Sequence, residues 1–393
     1  MKKLFAGTAA ILAAILFLSC PAGAISAQKA ILLDGATGRV LYEKQADSKS
    51  LIASTTKIMT ALVVCENCNM LDLVEIPREA VGIEGSSIYL KEGEVLSVQE
   101  LLYGMMLHSG NDAATALAIF CAGSVEAFAQ MMNDKARQLK LKATHFVNPH
   151  GLDAADHYST ARDLAVLARY AMENPLFAQT VSAKTVTMGN RCLTNHNKLL
   201  WRVEGAEGIK TGFTKAAGRI LVSSARRQGR RLIAVTIEDG NDWADHAALY
   251  EQGFSQFLFQ KILSEGEVLG TLQVFGGEAD RVEVVSKADF YYPLAQGEQV
   301  SLLLSKKGMA YAPVVEGADA GFAYICINGN AVGKVAVEYA QTIEQQRVEQ
   351  KKQFWQRWFG ERYVRTLTEN TVCPRDRFPS GGRADDPKRQ GNR

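Results

Sequence analysis

The chain has 393 residues, 47% hydrophobic and 22% charged, enough apolar material for packed cores in more than one domain. Its 44 basic and 42 acidic side chains leave a net charge of only +2, so no global field draws it to nucleic acid. Any partner must therefore be sought in local sites.

Lys2 and Lys3 precede an apolar run from Leu4 to Leu18, and Ala22-Gly23-Ala24 offers small residues for cleavage. The run is shorter than the roughly 20 residues that cross a bilayer, which predicts a secretory signal peptide and an exported chain. The signal is assigned to residues 1–27, with lipidation at Cys20 as the alternative. Cys65, Cys68, Cys121, Cys192, Cys326 and Cys373 lie beyond it and permit disulfides without requiring them. Cys65 and Cys68 have metal-ligand spacing but lie in an apolar helical run with no second pair, so they read as buried small side chains. No metal or cofactor is expected.

Ile31-Leu32-Leu33 and Val40-Leu41-Tyr42 flank the turn residues Asp34 to Gly38, a hairpin signature. A second pair, Ile220 to Ala225 and Leu232 to Ile237, brackets a turn at Gly229. Between the pairs, Val98 to Leu107, Asn111 to Phe120, Val125 to Leu139 and Thr160 to Met172 carry apolar residues at helical spacing. Terminal strands that must pair around inserted helices predict an α+β domain, an antiparallel sheet covered by helices with a helical lobe beside it.

A helix from about Asp245 to Phe257 closes this domain, and Ser264 to Glu267 reads as a linker, so the boundary falls near Leu263. Residues 264–341 are short, β-rich and punctuated by glycine, with a turn at Asn328-Gly329, and predict a small all-β domain, a sandwich. Residues 342–365 read as an amphipathic helix with Phe354, Trp355, Trp358 and Phe359 on one side and Lys351, Lys352, Arg357, Arg362 and Arg365 around them. That pattern suits a reversible anchor on an anionic membrane surface, or a packing surface. Residues 366–393 are polar and expected to be disordered.

Three short motifs carry chemistry. Ser54-Thr55-Thr56-Lys57 opens the apolar helical stretch Ile58 to Val64, so the serine sits at a helix start and the lysine, three residues on, shares its face. A serine hydroxyl needs a base to become a nucleophile, and a neutral lysine can be one. Alone the pattern is weak: SxxK arises by chance about once or twice in such a chain, and Ser26 to Lys29 is such a match. Ser109-Gly110-Asn111 forms a tight connection between helices. Lys210-Thr211-Gly212 follows a short strand, Gly208-Ile209, and leads through Phe213-Thr214 towards the next. A strand edge there can offer backbone N–H groups and a hydroxyl to an extended peptide, with Gly212 allowing close approach.

The three motifs occur in order, 55 and then 101 residues apart. As a set the chain resembles the low-molecular-weight penicillin-binding proteins of the D-alanyl-D-alanine carboxypeptidase type, the S11 serine peptidases. The segments Asn148 to Leu152, His157 to Ala161, Thr194 to Leu200 and Gly208 to Thr214 are similar to that family too. The resemblance covers about residues 28–263 and the β domain that commonly follows. It implies a β-lactamase/transpeptidase-like fold, peptidoglycan stem peptides ending in D-Ala-D-Ala as substrates, and β-lactams as inhibitors. It further implies that Ser54 forms an acyl-enzyme, Lys57 accepts its proton, and Ser109 relays a proton to the leaving amine. Asn111 would bind the substrate amide, Lys210 and Thr211 its carboxylate, and the N–H groups of Ser54 and Phe213 would form an oxyanion hole. Phe213 stands where family members often carry His, which leaves only its backbone role.

A class A β-lactamase shares the motifs, but the middle one here is SGN and residues 148–160 contain no Glu. A penicillin sensor that acylates without turnover would need membrane coupling that the sequence beyond the signal does not supply. An endopeptidase acting on cross-links would use the same residues.

Overall fold

The computed structural model describes residues 25–305 and 308–347. The apolar run of the signal, the aromatic stripe at 354–359 and the tail at 366–393 lie outside the described residues.

Five antiparallel strands, β1 (Lys29–Asp34), β2 (Val40–Lys44), β3 (Ala206–Thr214), β4 (Gly218–Arg227) and β5 (Arg230–Ile237), form one sheet in the order β2-β1-β5-β4-β3. Both faces of its centre are covered, which explains why the strands read as continuous apolar runs. Ile31 and Leu33 of β1, with Ile233, Val235 and Ile237 of β5, point into the large helical core. Ala30, Leu32, Leu232 and Ala234, on the alternate face, pack beneath Leu249 and Tyr250 of the closing helix.

The helical lobe contains α1 (Lys57–Asn67), α2 (Val98–Leu107), α3 (Asn111–Ala122), α4 (Val125–Gln138), α5 (Ala161–Ala171) and α6 (Pro175–Ser182). Every residue of α1 from Lys57 to Val64 is buried, so it is a central helix without a polar face. Ser97 and Glu100 close a capping box at the start of α2. Two small antiparallel pairs, Leu73–Glu75 with Val95–Ser97 and Thr185–Met188 with Arg191–Thr194, interrupt a region that periodicity marks as helical. Strands of three or four residues are too short to impose a period.

The closing helix α7 spans Asp242–Gln256 and runs directly into strand β6 (Phe257–Leu263), which pairs antiparallel with Phe290–Ala295. The sequence shows no break there because Phe, Leu and Ile serve a helix end as well as a strand. By contacts the chain divides into two compact units, each built from more than one segment. The first takes the described residues up to Val268, then Val285–Ser305 and Gly321–Val337. Pairing of β6 with Phe290–Ala295, and ion pairing of Arg39 with Glu298, hold the middle segment to it.

In the second unit Gln273–Phe275 pairs parallel with Met309–Tyr311 around a core of Val274, Val282, Ala310, Val314 and Ile343. Ile343 bridges Val314, and Gln345 bridges Gly277. Residues 342–347, expected to begin a helix, are therefore extended, because Ile343 fills that core and leaves no exposed apolar stripe to start one. Residues 25–27, placed with the signal on sequence grounds, are likewise part of the fold: Ile25 and Ala27 are buried beside Leu249 and Tyr250. Asn328 and Gly329, both with positive φ, make the turn that the sequence predicts.

Candidate active site

Ala53–Thr56 forms a single tight helical turn that leads directly into α1. Ala53 adopts φ 43°, a conformation a non-glycine residue holds only where its surroundings enforce it. The result is a half-buried Ser54 on the lip of a cleft, with the wholly buried Lys57 beneath it.

Lys57 Nζ lies 3.0 Å from Ser54 Oγ, 2.7 Å from Asn111 Oδ1 and 2.7 Å from the His150 carbonyl. A protonated lysine would donate to all three. A neutral amine has two hydrogens and one lone pair, and of the three partners only the serine hydroxyl can donate. Deprotonation therefore points the lone pair at the Ser54 proton without moving a heavy atom. Burial holds the Lys57 pKa well below its ordinary value, the Lys210 ammonium lowers it further, and Asp112 partly opposes both.

Asn111, the first residue of α3, accepts from Lys57 and donates through Nδ2 to the Glu84 carbonyl at 2.5 Å. It is 4% exposed, and through these two bonds it holds Lys57 Nζ in place. Ser109, at φ 64°, lines the cleft opposite Ser54. Its hydroxyl is not among the three groups that bond Lys57 Nζ, so a relay through it needs substrate or water to complete the path.

Lys210, Thr211, Gly212, Phe213 and Thr214 are the end of β3, a nine-residue strand longer than the two residues expected before the motif. β3 is the outermost strand of the sheet and borders the cleft. Gly212 serves a purpose the sequence did not reveal: a Cβ there would lie 3.3 Å from both Ser54 N and the Ile52 carbonyl, so its absence lets the nucleophile turn press against the strand. The Thr214 hydroxyl accepts from Ala217 N at 2.9 Å and donates to Asp153 at 3.2 Å, fixing the turn after the strand. Lys210 is 1% exposed, burial pulls its pKa down to about 7, and its ammonium donates to the Thr211 carbonyl at 2.9 Å.

Residues 148–152 pack against the nucleophile turn and α1. Asn148 Oδ1 accepts from Gly151 N at 2.7 Å, and the Pro149 carbonyl accepts from Thr60 Oγ1 at 2.6 Å. Gly151 has φ 89°, and a Cβ on it would fall 1.8 Å from the Ala53 carbonyl. Gly151→Ala is expected to cost about 3 kcal/mol and to displace the Ser54 turn, since backbone cannot yield as a side chain can. Urea unfolding together with penicillin labelling checks this; unchanged values for both would contradict it.

The cleft, about 350 Å³, is lined by Ser54, Ser86, Ser109, Thr211, Gly212 and Phe213, and also by residues the motifs do not contain: His196, Lys198, Arg219, Ile220, Asp242 and Trp243. Arg219 stands opposite Phe213 in the β3–β4 ladder, donates to both oxygens of Asp242 at 2.7 Å, and lies 5.9 Å from the Trp243 ring centroid. Its side chain is 44% exposed, so a guanidinium already paired with Asp242 still presents free N–H donors at the cleft mouth. His196 lies with its ring tilted against that of His108, centroids 4.9 Å apart, and burial lowers its pKa to about 4, so it is neutral here.

A serine hydroxyl on a buried lysine, beside the open edge of an antiparallel sheet, is an arrangement suited to serine acyl transfer. Residues 18–241 match the model of the D-alanyl-D-alanine carboxypeptidase family, peptidase S11, and residues 257–345 match the C-terminal domain of penicillin-binding protein 5. The chain belongs to the peptidase S11 family of serine D-alanyl-D-alanine carboxypeptidases. It is 36% identical to the D-alanyl-D-alanine carboxypeptidase DacD of Escherichia coli over 68% of this chain and 73% of that one. It is 31% identical to DacF of Bacillus subtilis over 79% and 84%. Penicillin-binding protein 5 from Haemophilus influenzae superposes with a TM-score of 0.71 at 29% identity, covering 82% of this chain and 98% of that structure.

Proposed function

We propose that this carboxypeptidase removes the terminal D-alanine from peptidoglycan stem peptides through an ester on Ser54. The observation that carries the reading is Lys57: buried, held off its ordinary charge and 3.0 Å from Ser54 Oγ. Lys57 takes the Ser54 proton as Oγ attacks the penultimate carbonyl carbon. The developing oxyanion is met by the N–H groups of Ser54 and Phe213. The C–N bond then breaks, the departing D-alanine amine takes up a proton by way of Ser109, and water hydrolyses the ester. Penicillin enters the same path and stops at the acyl-enzyme. The substrate peptide lies along the free edge of β3.

The carboxylate of the terminal residue meets Thr211 and, in this reading, Arg219 as well as Lys210, because Lys210 is only partly charged near neutrality while Arg219 is always charged. Arg219→Leu is expected to lower kcat/KM for a D-Ala-D-Ala peptide by about 10–100-fold, the worth of one charge-assisted hydrogen bond. The loss should vanish for a peptide ending in an amide. Equal losses on both peptides would leave Arg219 a structural partner of Asp242.

Release of D-alanine from a D-Ala-D-Ala peptide, compared with cleavage of a cross-linked dimer, separates carboxypeptidase from endopeptidase action. Faster cleavage of the dimer would reverse the substrate assignment. Export, supported by the apolar run at Leu4 to Leu18, would put the enzyme at the cell wall or the outer face of the membrane. Among the described residues no single helix is long and apolar enough to cross a membrane.

A further inference from the structure

Asp239 and Asp245 are buried side by side, 1% and 5% exposed, where the described chain begins. Asp245 Oδ2 accepts from Ser26 N at 2.6 Å, from Ala27 N at 3.1 Å and from Ser26 Oγ at 2.9 Å. The Ser26 hydroxyl also lies 3.0 Å from Asp239 Oδ1, which accepts from Asn241 N at 3.0 Å. One hydroxyl hydrogen cannot serve both carboxylates. Asp239 Oδ2 is buried with no hydrogen bond of ordinary geometry; the Thr236 hydroxyl, bonded to His246 Nε2 at 3.0 Å, is the polar group beside Asp239 and holds its pKa down only in part.

Among the described residues neither carboxylate has a lysine or arginine within ion-pair distance. The Lys44 ammonium donates to the Ile25 carbonyl at 3.1 Å. Two adjacent buried carboxylates without a cation are costly unless one is neutralised. Burial raises the Asp239 pKa, the bonds from Asn241 N, Thr236 and Ser26 offset this only in part, and the neighbouring Asp245 raises it further.

The missing cation is within reach of one backbone atom. Ser26 N is 2.6 Å from Asp245 Oδ2, and successive backbone nitrogens are at most about 3.7 Å apart, so Ile25 N lies within about 6 Å of that carboxylate. In the intact chain this atom is an uncharged amide. Ala22 and Ala24 stand three and one residues before the Ala24–Ile25 bond, the small residues that a signal peptidase requires.

We propose that the Ala24–Ile25 bond is cut during export and that the α-ammonium of Ile25 seats on the Asp239–Asp245 pair. The proposal rests on the export reading above. Water adds across the amide: its oxygen goes to the Ala24 carbonyl carbon, giving a carboxylate, and both hydrogens end on nitrogen, giving the ammonium. Removal of the signal thus completes the fold as well as releasing it. The new terminus locks the segment before β1 beneath α7, where Ile25 and Ala27 already pack with Leu249 and Tyr250.

Intact mass and amino-terminal sequencing of the protein recovered outside the cytoplasm are expected to give Ile25 as the first residue. A chain beginning at Ile25 should melt about 3–6 °C above one that keeps Ala24 ahead of it, as one buried ion pair is gained. Asp239→Asn should erase that difference; if the variant does not fold, the comparison of the two termini decides alone. An exported protein beginning elsewhere, at a lipidated Cys20 or at Gln28, overturns the proposal, as do equal melting temperatures for the two chains. A protein retained in the cytoplasm with residue 1 intact would instead overturn the export reading.

Discussion

Ser54→Ala is expected to reduce D-alanine release by about 10⁴-fold or more and to abolish covalent labelling by a fluorescent penicillin, because Ser54 carries the hydroxyl that Lys57 Nζ bonds. The variant should still fold. The Ser54 side chain is half-exposed, and its hydrogen-bond partner, Lys57 Nζ, keeps Asn111 and the His150 carbonyl as acceptors. Thermal unfolding near the wild-type value, with labelling lost, is therefore the expected pair of results. Ser109 is another hydroxyl in the cleft, and persistent labelling would move the nucleophile there. Ser26, the other serine of an SxxK pattern, is occupied by Asp239 and Asp245, and its Lys29 by Glu238.

The second large effect is on Lys57. Lys57→Ala should lower the acylation rate by about 10²–10⁴-fold, the range for a general base. In the wild type the working species is the neutral amine, so acylation should rise with pH through a limb set by Lys57 or by its coupled pair with Lys210. Burial, then Lys210, lower the Lys57 pKa, which brings this limb below the ordinary lysine value of about 10.4. A flat profile between about pH 6 and 10 would remove Lys57 as the base.

The same shifts affect stability with a definite sign. Lys210, with a folded pKa of about 7, binds fewer protons folded than unfolded at higher pH. Stability should therefore rise between about pH 7 and the unfolded lysine value near 10.4 from this group. Urea titrations of wild type and Lys210→Met across that window test it: the variant's profile should be the flatter.

The motif spacing identified Ser54 and Lys57 because three residues along a helical turn put two side chains on one face, a purely local fact. Likewise the β4–β5 hairpin and the span of α2 were legible, since turn chemistry and helical spacing lie within a few residues. Asn111 was legible as a site residue, but its bond to Lys57 was not. Its carboxamide is taken by Lys57 and by Glu84, 27 residues upstream, and nothing in the local pattern records that.

What the sequence by itself determined is the chemistry available: a nucleophile, a base, a polar turn and a glycine-bearing strand, in a fixed order. Only the tertiary structure decided that β3 is an edge with its rim on the cleft, and that Gly212 makes room for the Ser54 turn. It also decided that a backbone carbonyl of His150 completes the lysine's shell and that Arg219 and Asp242 bring charge to the mouth. The strand at β6 and the extended course of residues 342–347 were settled in the same way. Each of these depends on contacts between segments far apart in the chain. Burial and pairing of that kind are properties of packing, and a local period or spacing carries no record of which distant surface will cover it.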